Sequence, residues 1–74
     1  MINKKEVISL FWNSIEKKEY TWEELNKGKT ISFVYNGKTY KVQTRLGNFW
    51  SMGVSKYSKM IEKRAIDAVR RKND

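Results

Sequence analysis

The sequence predicts a small α+β domain in the order α–α–β–β–(β)–α, with an antiparallel β-hairpin or three-stranded meander and helices packed on one face. Three observations predict this fold class. Two helix starts with capping residues lie near the N-terminus, an Asn-Gly pair separates two alternating segments, and apolar residues recur at helical spacing near the C-terminus. The 74 residues suffice for one domain, which we divide into a helical part at 1–28, a hairpin or meander at 29–52 and a basic helix at 53–72.

The first helix is predicted by its N-terminal residues and by its apolar spacing. Asn3 is a favourable cap, and Glu6 follows three residues later, which is the pattern of a capping box. We place this helix at about 4–18. Its apolar positions recur three or four residues apart: Val7, Leu10, Phe11 and Ile15.

A second, shorter helix is predicted directly after the first. Thr21 and Glu24 repeat the capping-box pattern, and Gly28 supplies a residue that readily adopts the left-handed conformation at a helix end. We place this helix at about 22–27 and expect it to fold back on the first. Its apolar anchors are Trp22 and Leu25.

The middle of the chain predicts a β-hairpin. Asn36-Gly37 is the preferred loop of a type I′ turn, and the flanking segments at 30–35 and 38–45 alternate in polarity. This loop pairs Phe33 with Tyr40. The expected core face holds Ile31, Phe33, Tyr40 and Val42, with Leu46 beyond. The expected polar face holds Ser32, Thr39, Lys41, Gln43 and Arg45, with Val34 as its one apolar member.

The last part of the chain predicts a further turn and a long helix. Gly47-Asn48 suits a second turn, after which 49–52 is a candidate third strand. Ser51 or Ser55 suits the cap of a helix that reaches about Arg71. The expected apolar side of this helix is Val54, Tyr57, Ile61, Ala65 and Ala68, with Val69 at its margin.

The positive charge is concentrated in one part of the sequence. The net charge is +8. Residues 1–26 hold four Lys and five Glu, a net charge of −1, whereas 27–74 hold twelve Lys or Arg and three acids, a net charge of +9. A Lys-rich composition also arises from codon bias in AT-rich genomes, but codon bias does not explain this segregation. A strongly basic part of a domain is typical of a protein that binds a polyanion.

The composition argues against most enzyme and metal chemistry. The chain has no His and no Cys, which excludes the usual ligands of zinc and haem and the usual activated nucleophiles. Its four glycines are scattered and form no phosphate-binding loop. We therefore expect no enzyme activity, no cofactor and no metal site. The lack of Cys, of a signal peptide and of a long apolar run indicates a cytoplasmic protein without a membrane partner.

Two surfaces are candidates for nucleic-acid binding. Lys56, Lys59, Lys63 and Arg70 fall within one sector of the last helix, which we call the basic stripe, and Arg64 and Arg71 flank it. The polar face of the hairpin adds Lys41, Gln43 and Arg45, with Lys38 at the turn. The alternative interpretation of each surface is an ordinary solvated face.

Aromatic residues beside basic ones would indicate stacking on unpaired bases. The candidates are Trp12, Trp50, Phe49 and Tyr57. A chain this short needs most of its aromatic residues for the core, so we favour a core role for them. Trp12 lies off the main apolar line of its helix, and we expect it either to cover the second helix or to form an exposed patch.

The function predicted from the sequence is that of a small basic nucleic-acid-binding accessory or regulatory protein, with DNA and RNA both left open. The alternative is an inhibitor or adaptor of a phage or other mobile element that docks on a partner protein. The alternative follows from the small size, the aromatic content and the region of Trp12. Attachment to an anionic membrane through the last helix is disfavoured, because the core needs its apolar side. A homodimer formed through an exposed sheet edge stays open.

Overall fold

The structure, a computed structural model, describes residues 2–45 and 49–73, and it describes side chains up to Arg45 and again from Gly53 to Arg71. The predicted turn at Gly47-Asn48, and Leu46 before it, lie outside the described residues. The fold class is confirmed as α+β with a two-stranded antiparallel hairpin. The elements are α1 (Lys4–Lys18), α2 (Trp22–Lys27), β1 (Thr30–Tyr35), β2 (Lys38–Gln43) and α3 (Phe49–Asn73).

One of the two hydrogen bonds of the capping box predicted for α1 forms. The Asn3 side chain accepts a hydrogen bond from the Glu6 backbone N–H at 3.1 Å. The reciprocal bond from Asn3 to the Glu6 carboxylate is replaced, because the Asn3 backbone N–H donates to the Tyr35 hydroxyl at 3.0 Å. The replacement joins the start of α1 to the end of β1, two elements that are distant in sequence.

The cap of α2 is the complete capping box that the sequence predicts. The Thr21 hydroxyl accepts from the Glu24 backbone N–H, and the Glu24 carboxylate accepts from the Thr21 backbone N–H, both at 3.2 Å. The helix ends at Gly28, whose φ of 106° disfavours any residue with a Cβ. A Cβ at that position would also lie only 3.2 Å from the Cβ of Arg45. Gly28 therefore allows the close approach of α2 to the segment after β2.

The hairpin has the predicted register. Tyr35 lies opposite Lys38, and Asn36 and Gly37 both have positive φ, at 51° and 79°, as a type I′ turn requires. The four predicted core residues are buried, and Tyr35 is buried with them. The buried hairpin residues are Ile31, Phe33, Tyr35, Tyr40 and Val42.

The predicted third strand is wrong. Residues 49–52 are helical and belong to α3, which is interrupted at Gly53 by a non-helical conformation with φ 80° and ψ 163°. A strand added beside β2 would need the outward backbone groups of β2, and the carbonyl of Gln43 is already bonded to the Arg64 guanidinium. Helix α3 therefore occupies the edge at which a third strand would pair.

The apolar side of α3 agrees with the predicted one at Tyr57, Ile61 and Ala65 and differs from it at the two ends. Val54 comes directly after the kink and is 43% exposed, whereas Val69, predicted at the margin, is fully buried. The core side thus starts at Tyr57 and runs to Val69. Its buried members are Tyr57, Ile61, Ala65 and Val69.

The helices form one layer beneath the hairpin. Helix α1 packs on β1, α3 packs on β2, and the two helices contact each other. The core lies between these layers, whereas the opposite side chains of both strands are exposed. This arrangement confirms that the helices pack on one face of the hairpin.

Thr44 is the buried polar residue that joins the layers, and sequence reasoning missed it. Its hydroxyl donates to the Leu25 carbonyl at 2.6 Å and accepts from the Lys29 backbone N–H at 2.9 Å. Its carbonyl accepts from the Tyr57 hydroxyl at 2.6 Å. We call this set of bonds the Thr44 clasp, because it connects α2, the start of β1, the end of β2 and α3.

We predict that Thr44→Val destabilises the domain by about 2 kcal/mol, because the change retains the shape but leaves the buried Leu25 carbonyl and the partly buried Lys29 N–H without their partner. Urea unfolding followed by circular dichroism measures the difference. The matched control is Val34→Thr, the reverse exchange at an exposed strand position, which should change the free energy of unfolding by less than about 0.5 kcal/mol. Equal effects of the two changes would contradict the clasp.

Candidate functional site

The strongest candidate site is a groove of about 380 Å³ between β2 and α3. From the polar face of the hairpin, β2 supplies Lys41 and Gln43, and α3 supplies Arg64 and Arg71, which flank the basic stripe. Arg71 was noted from the sequence only as a flanking residue. We call this the basic groove, and its lining residues are Lys41, Val42, Gln43, Arg64, Asp67, Ala68 and Arg71.

Arg64 is held in place by the backbone at the end of β2. Its Nη1 donates to the carbonyl of Arg45 at 2.8 Å and to the carbonyl of Gln43 at 3.2 Å. A guanidinium has five N–H groups, and these two bonds use one nitrogen. Among the described residues, no acceptor is bonded to Nε or Nη2 of this exposed side chain. The guanidinium is therefore fixed in orientation and retains donors for a ligand.

The groove has an excess of positive charge. It contains three cationic side chains, those of Lys41, Arg64 and Arg71, and one acidic side chain, that of Asp67. Within the described ranges the one ion pair lies elsewhere, between Lys27 and Glu23 of α2 at 3.8 Å. Asp67 therefore reduces the positive potential of the groove without forming an ion pair with any of its cations.

The basic stripe lies beside the groove on the same helix. Its members Lys56, Lys59, Lys63 and Arg70 are all exposed. At about 100° per residue, the stripe follows Arg64 and Asp67 around the helix, away from the core. The acidic residue Glu62 lies on the opposite flank, where its carboxylate accepts a hydrogen bond from the Trp12 indole N–H. Arg64 and Arg71 thus lie toward β2, whereas the basic stripe lies on the outer side of α3, opposite the core.

The remaining predicted residues lie at the two ends of β2. Lys38 is exposed beside the hairpin turn, and it does not line the groove. Arg45 is exposed at the other end and contributes its carbonyl to the site through the bond with Arg64. The Gln43 amide donates to the Thr30 hydroxyl at 2.9 Å, so part of its donor capacity is used across the hairpin.

The aromatic candidates are mainly structural. Tyr57 is buried, and Trp12 is half-buried against Trp22 of α2, with ring centroids 5.9 Å apart. Trp12 therefore covers the second helix, as one of the two predicted alternatives had it. Trp22 is 40% exposed and also contacts the Tyr57 ring at 6.2 Å. The side chains of Phe49 and Trp50 lie outside the described ones.

Tyr57 links the clasp to the charge of the groove. Burial raises the pKa of its phenol above the usual value of 10.0. The hydrogen bond to Thr44 and the positive charge of Arg64 offset part of this rise in pKa. The phenol stays protonated at neutral pH and acts as a donor to the Thr44 carbonyl.

Comparison with known proteins finds no family model that matches the chain and no similar curated protein or solved structure. Across the described residues there is no cluster of three acidic, His or Cys side chains able to hold a metal ion. No helix in the same residues combines the length and the apolar character that a bilayer crossing requires. The geometry and the charge of the groove are therefore the features that indicate a function.

We predict that Tyr57→Phe destabilises the domain at neutral pH by about 1 kcal/mol, because the Thr44 carbonyl loses its donor. The difference in the free energy of unfolding between the variant and the wild type should shrink as the pH rises above 10.0. The unfolded chain releases the Tyr57 proton at a lower pH than the folded chain, so alkaline pH destabilises the wild type through this group and leaves the variant unaffected by it.

Urea unfolding of both proteins from about pH 7 to about pH 11 measures this difference, and Tyr20→Phe serves as the control. Tyr20 is half-buried under the Lys29 ammonium, 5.6 Å from the ring centroid, and lies outside the clasp. A Tyr57→Phe deficit that stays constant with pH would contradict the assignment.

Proposed function

We propose that this chain is a small nucleic-acid-binding accessory protein that contacts the phosphate backbone through the basic groove and the adjacent basic stripe. The proposal assigns it binding in the cytoplasm and no catalysis. The observation that supports it most strongly is that two strand carbonyls hold the guanidinium of Arg64 in a groove that Lys41 and Arg71 also line. A guanidinium with free donors matches the geometry of a phosphate better than a mobile ammonium does.

The fixed position of Arg64 favours binding for an energetic reason. A free Arg side chain loses rotamer freedom when it binds, at a cost of about 0.5–1.5 kcal/mol. Arg64 has already lost much of that freedom, because two strand carbonyls hold its Nη1. The other two cationic side chains that line the groove, those of Lys41 and Arg71, are exposed and add attraction for an anion.

The pattern of contacts favours binding to the backbone over reading of base edges. Gln43 is the side chain best suited to read a base, but its amide is bonded to Thr30 across the hairpin. The cations of the groove and stripe supply point charges and one guanidinium fork, which recognise phosphate in any sequence. We therefore infer binding that depends strongly on salt and weakly on base sequence.

We predict that the double change Lys41→Glu and Arg71→Glu weakens binding at least about tenfold and lowers the slope of log K against log salt by about 1.8, since each lost phosphate contact removes about 0.9. Fluorescence anisotropy with random-sequence duplex DNA, single-stranded DNA and structured RNA, at about 50 and 200 mM salt, measures both quantities and identifies the preferred form.

The charge-matched control is the double change Lys4→Glu and Lys5→Glu. Both side chains are exposed on the first turn of α1, where acidic residues suit the helix dipole. The control alters net charge equally but should leave the salt slope within about 0.5 of the wild type. Absence of binding to all three nucleic acids at low salt would refute the proposed function. Equal losses of affinity in both double variants would refute the groove as the binding site.

The basic stripe is tested separately by changing Lys56, Lys59 and Lys63 together to Glu. All three side chains are exposed, so the domain should remain folded, as circular dichroism can verify. We expect the triple change to abolish binding, because a backbone contact that extends beyond the groove needs these charges. Unchanged binding would show that the stripe is a solvated face.

A further inference from the structure

The second notable feature of the surface is the outer edge of β1. The backbone of Thr44 donates to the Lys29 carbonyl at 3.0 Å, which identifies this pair as hydrogen-bonded. Hydrogen-bonded and non-hydrogen-bonded pairs alternate along an antiparallel ladder. The β1 residues whose backbone N–H and C=O groups point toward β2 are therefore Ile31, Phe33 and Tyr35. The backbone N–H and C=O groups that point away from β2 belong to Thr30, Ser32 and Val34.

The two edges of the hairpin differ in how they are protected. Strand β2 contains two lysines, and its outward Gln43 carbonyl already accepts a hydrogen bond from Arg64. On β1, the sequence TISFVY contains no charge, no Pro and no Gly. Proteins usually protect a free edge with one of these features, since an unprotected edge pairs with other strands. The β1 edge is thus competent to accept a further strand.

A groove of about 960 Å³ runs along this edge, and we call it the edge groove. One wall is the β1 edge, including Ser32 and Val34, and the floor comes from α1. Val34 is 56% exposed. The α1 side chains that line the groove include Leu10, Ser14, Lys17 and Lys18, and Tyr20 follows them.

The groove exists because the two layers differ in width. Packed helices lie about 8–10 Å apart, whereas paired strands lie about 4.8 Å apart. The layer of α1 and α3 is therefore wider than the hairpin above it, and α3 already covers the β2 edge. The uncovered part of α1 lies beside β1, with room for one strand.

We propose that the edge groove binds an extended segment of a partner protein, which adds to β1 as a third strand. A second copy of this chain fits less well, since pairing two β1 edges would bring both α1 helices to the same space below the sheet. The side chains of the partner segment that face α1 are apolar beside Leu10 and Tyr20 and acidic beside Lys17 and Lys18. Glu16 is the one acidic residue among the lining residues.

The test compares two changes at one position. Ser32→Pro removes an outward N–H without removing a bond to β2, and Ser32→Ala retains that N–H. A displayed library of random eight-residue peptides is selected on the wild-type protein. We expect enriched peptides to carry apolar and acidic residues at positions two apart, to bind Ser32→Ala like the wild type, and to bind Ser32→Pro about tenfold or more weakly.

A second variant keeps the test decisive if Ser32→Pro fails to fold. The double change Lys17→Glu and Lys18→Glu reverses the charge of two exposed residues, and it should weaken acidic peptides while leaving nucleic-acid binding by the opposite edge of the hairpin intact. Hydrogen exchange should show protection of the Ser32 and Val34 amides upon peptide binding.

Three outcomes would overturn the proposal. The first is that no peptide is enriched, and the second is that enriched peptides leave the Ser32 and Val34 amides unprotected. The third is that sedimentation shows a dimer of the wild type and a monomer of Ser32→Pro. That result would mean that the β1 edge pairs with a second copy of the chain. None of these outcomes affects the proposed nucleic-acid site, which lies along β2 and α3.

Discussion

The structure depends most on the hydrogen bonds of Thr44. The Thr44 hydroxyl donates to the Leu25 carbonyl and accepts from the Lys29 N–H. The Thr44 backbone N–H donates to the Lys29 carbonyl, and the Thr44 carbonyl accepts a hydrogen bond from the Tyr57 hydroxyl. Because all four polar partners are internal, the base of the hairpin is tied to both α2 and α3 without a disulfide or a metal. The next residue, Arg45, then presents its carbonyl to Arg64. The orientation of the Arg64 guanidinium is thus a consequence of the clasp.

The difference in width between the layers explains why the two edges of the hairpin are different. Two helices need more width than two strands cover, so at least one helix must extend past an edge. On the β2 side, α3 extends past the strand, and its Arg64 side chain bonds to the strand carbonyl of Gln43. This contact covers the β2 edge, and a charged groove lies between the strand and the helix. On the β1 side, α1 extends past the edge, and a groove lined by both apolar and polar side chains remains. One geometric constraint therefore produces both candidate surfaces.

The features predicted correctly from the sequence are those governed by neighbouring residues. The capping box at Thr21, the turn at Asn36-Gly37 and the strand register follow from rules that span a few positions. The buried position of Thr44 was not predicted, although the sequence contains a clue. Continued alternation of the strand places Thr44 on the same face as Val42, where a polar residue needs hydrogen-bond partners. The anchoring of Arg64 and the helical state of 49–52 depend on where α3 crosses β2, which no local rule specifies.

The concentration of cations around α3 has an energetic consequence for the fold. Like charges on one flank repel, and a domain of this size has little stability to offset that repulsion. Asp67 lines the groove and reduces this repulsion in part, whereas Glu62 lies on the other flank and accepts a hydrogen bond from the Trp12 indole N–H. A polyanion in the groove would both relieve the repulsion and, by mass action, favour the folded state. The charge arrangement costs stability in the free protein and returns it upon binding. This is a physical reason to interpret the segregated charge as a binding surface and not as an ordinary solvated face.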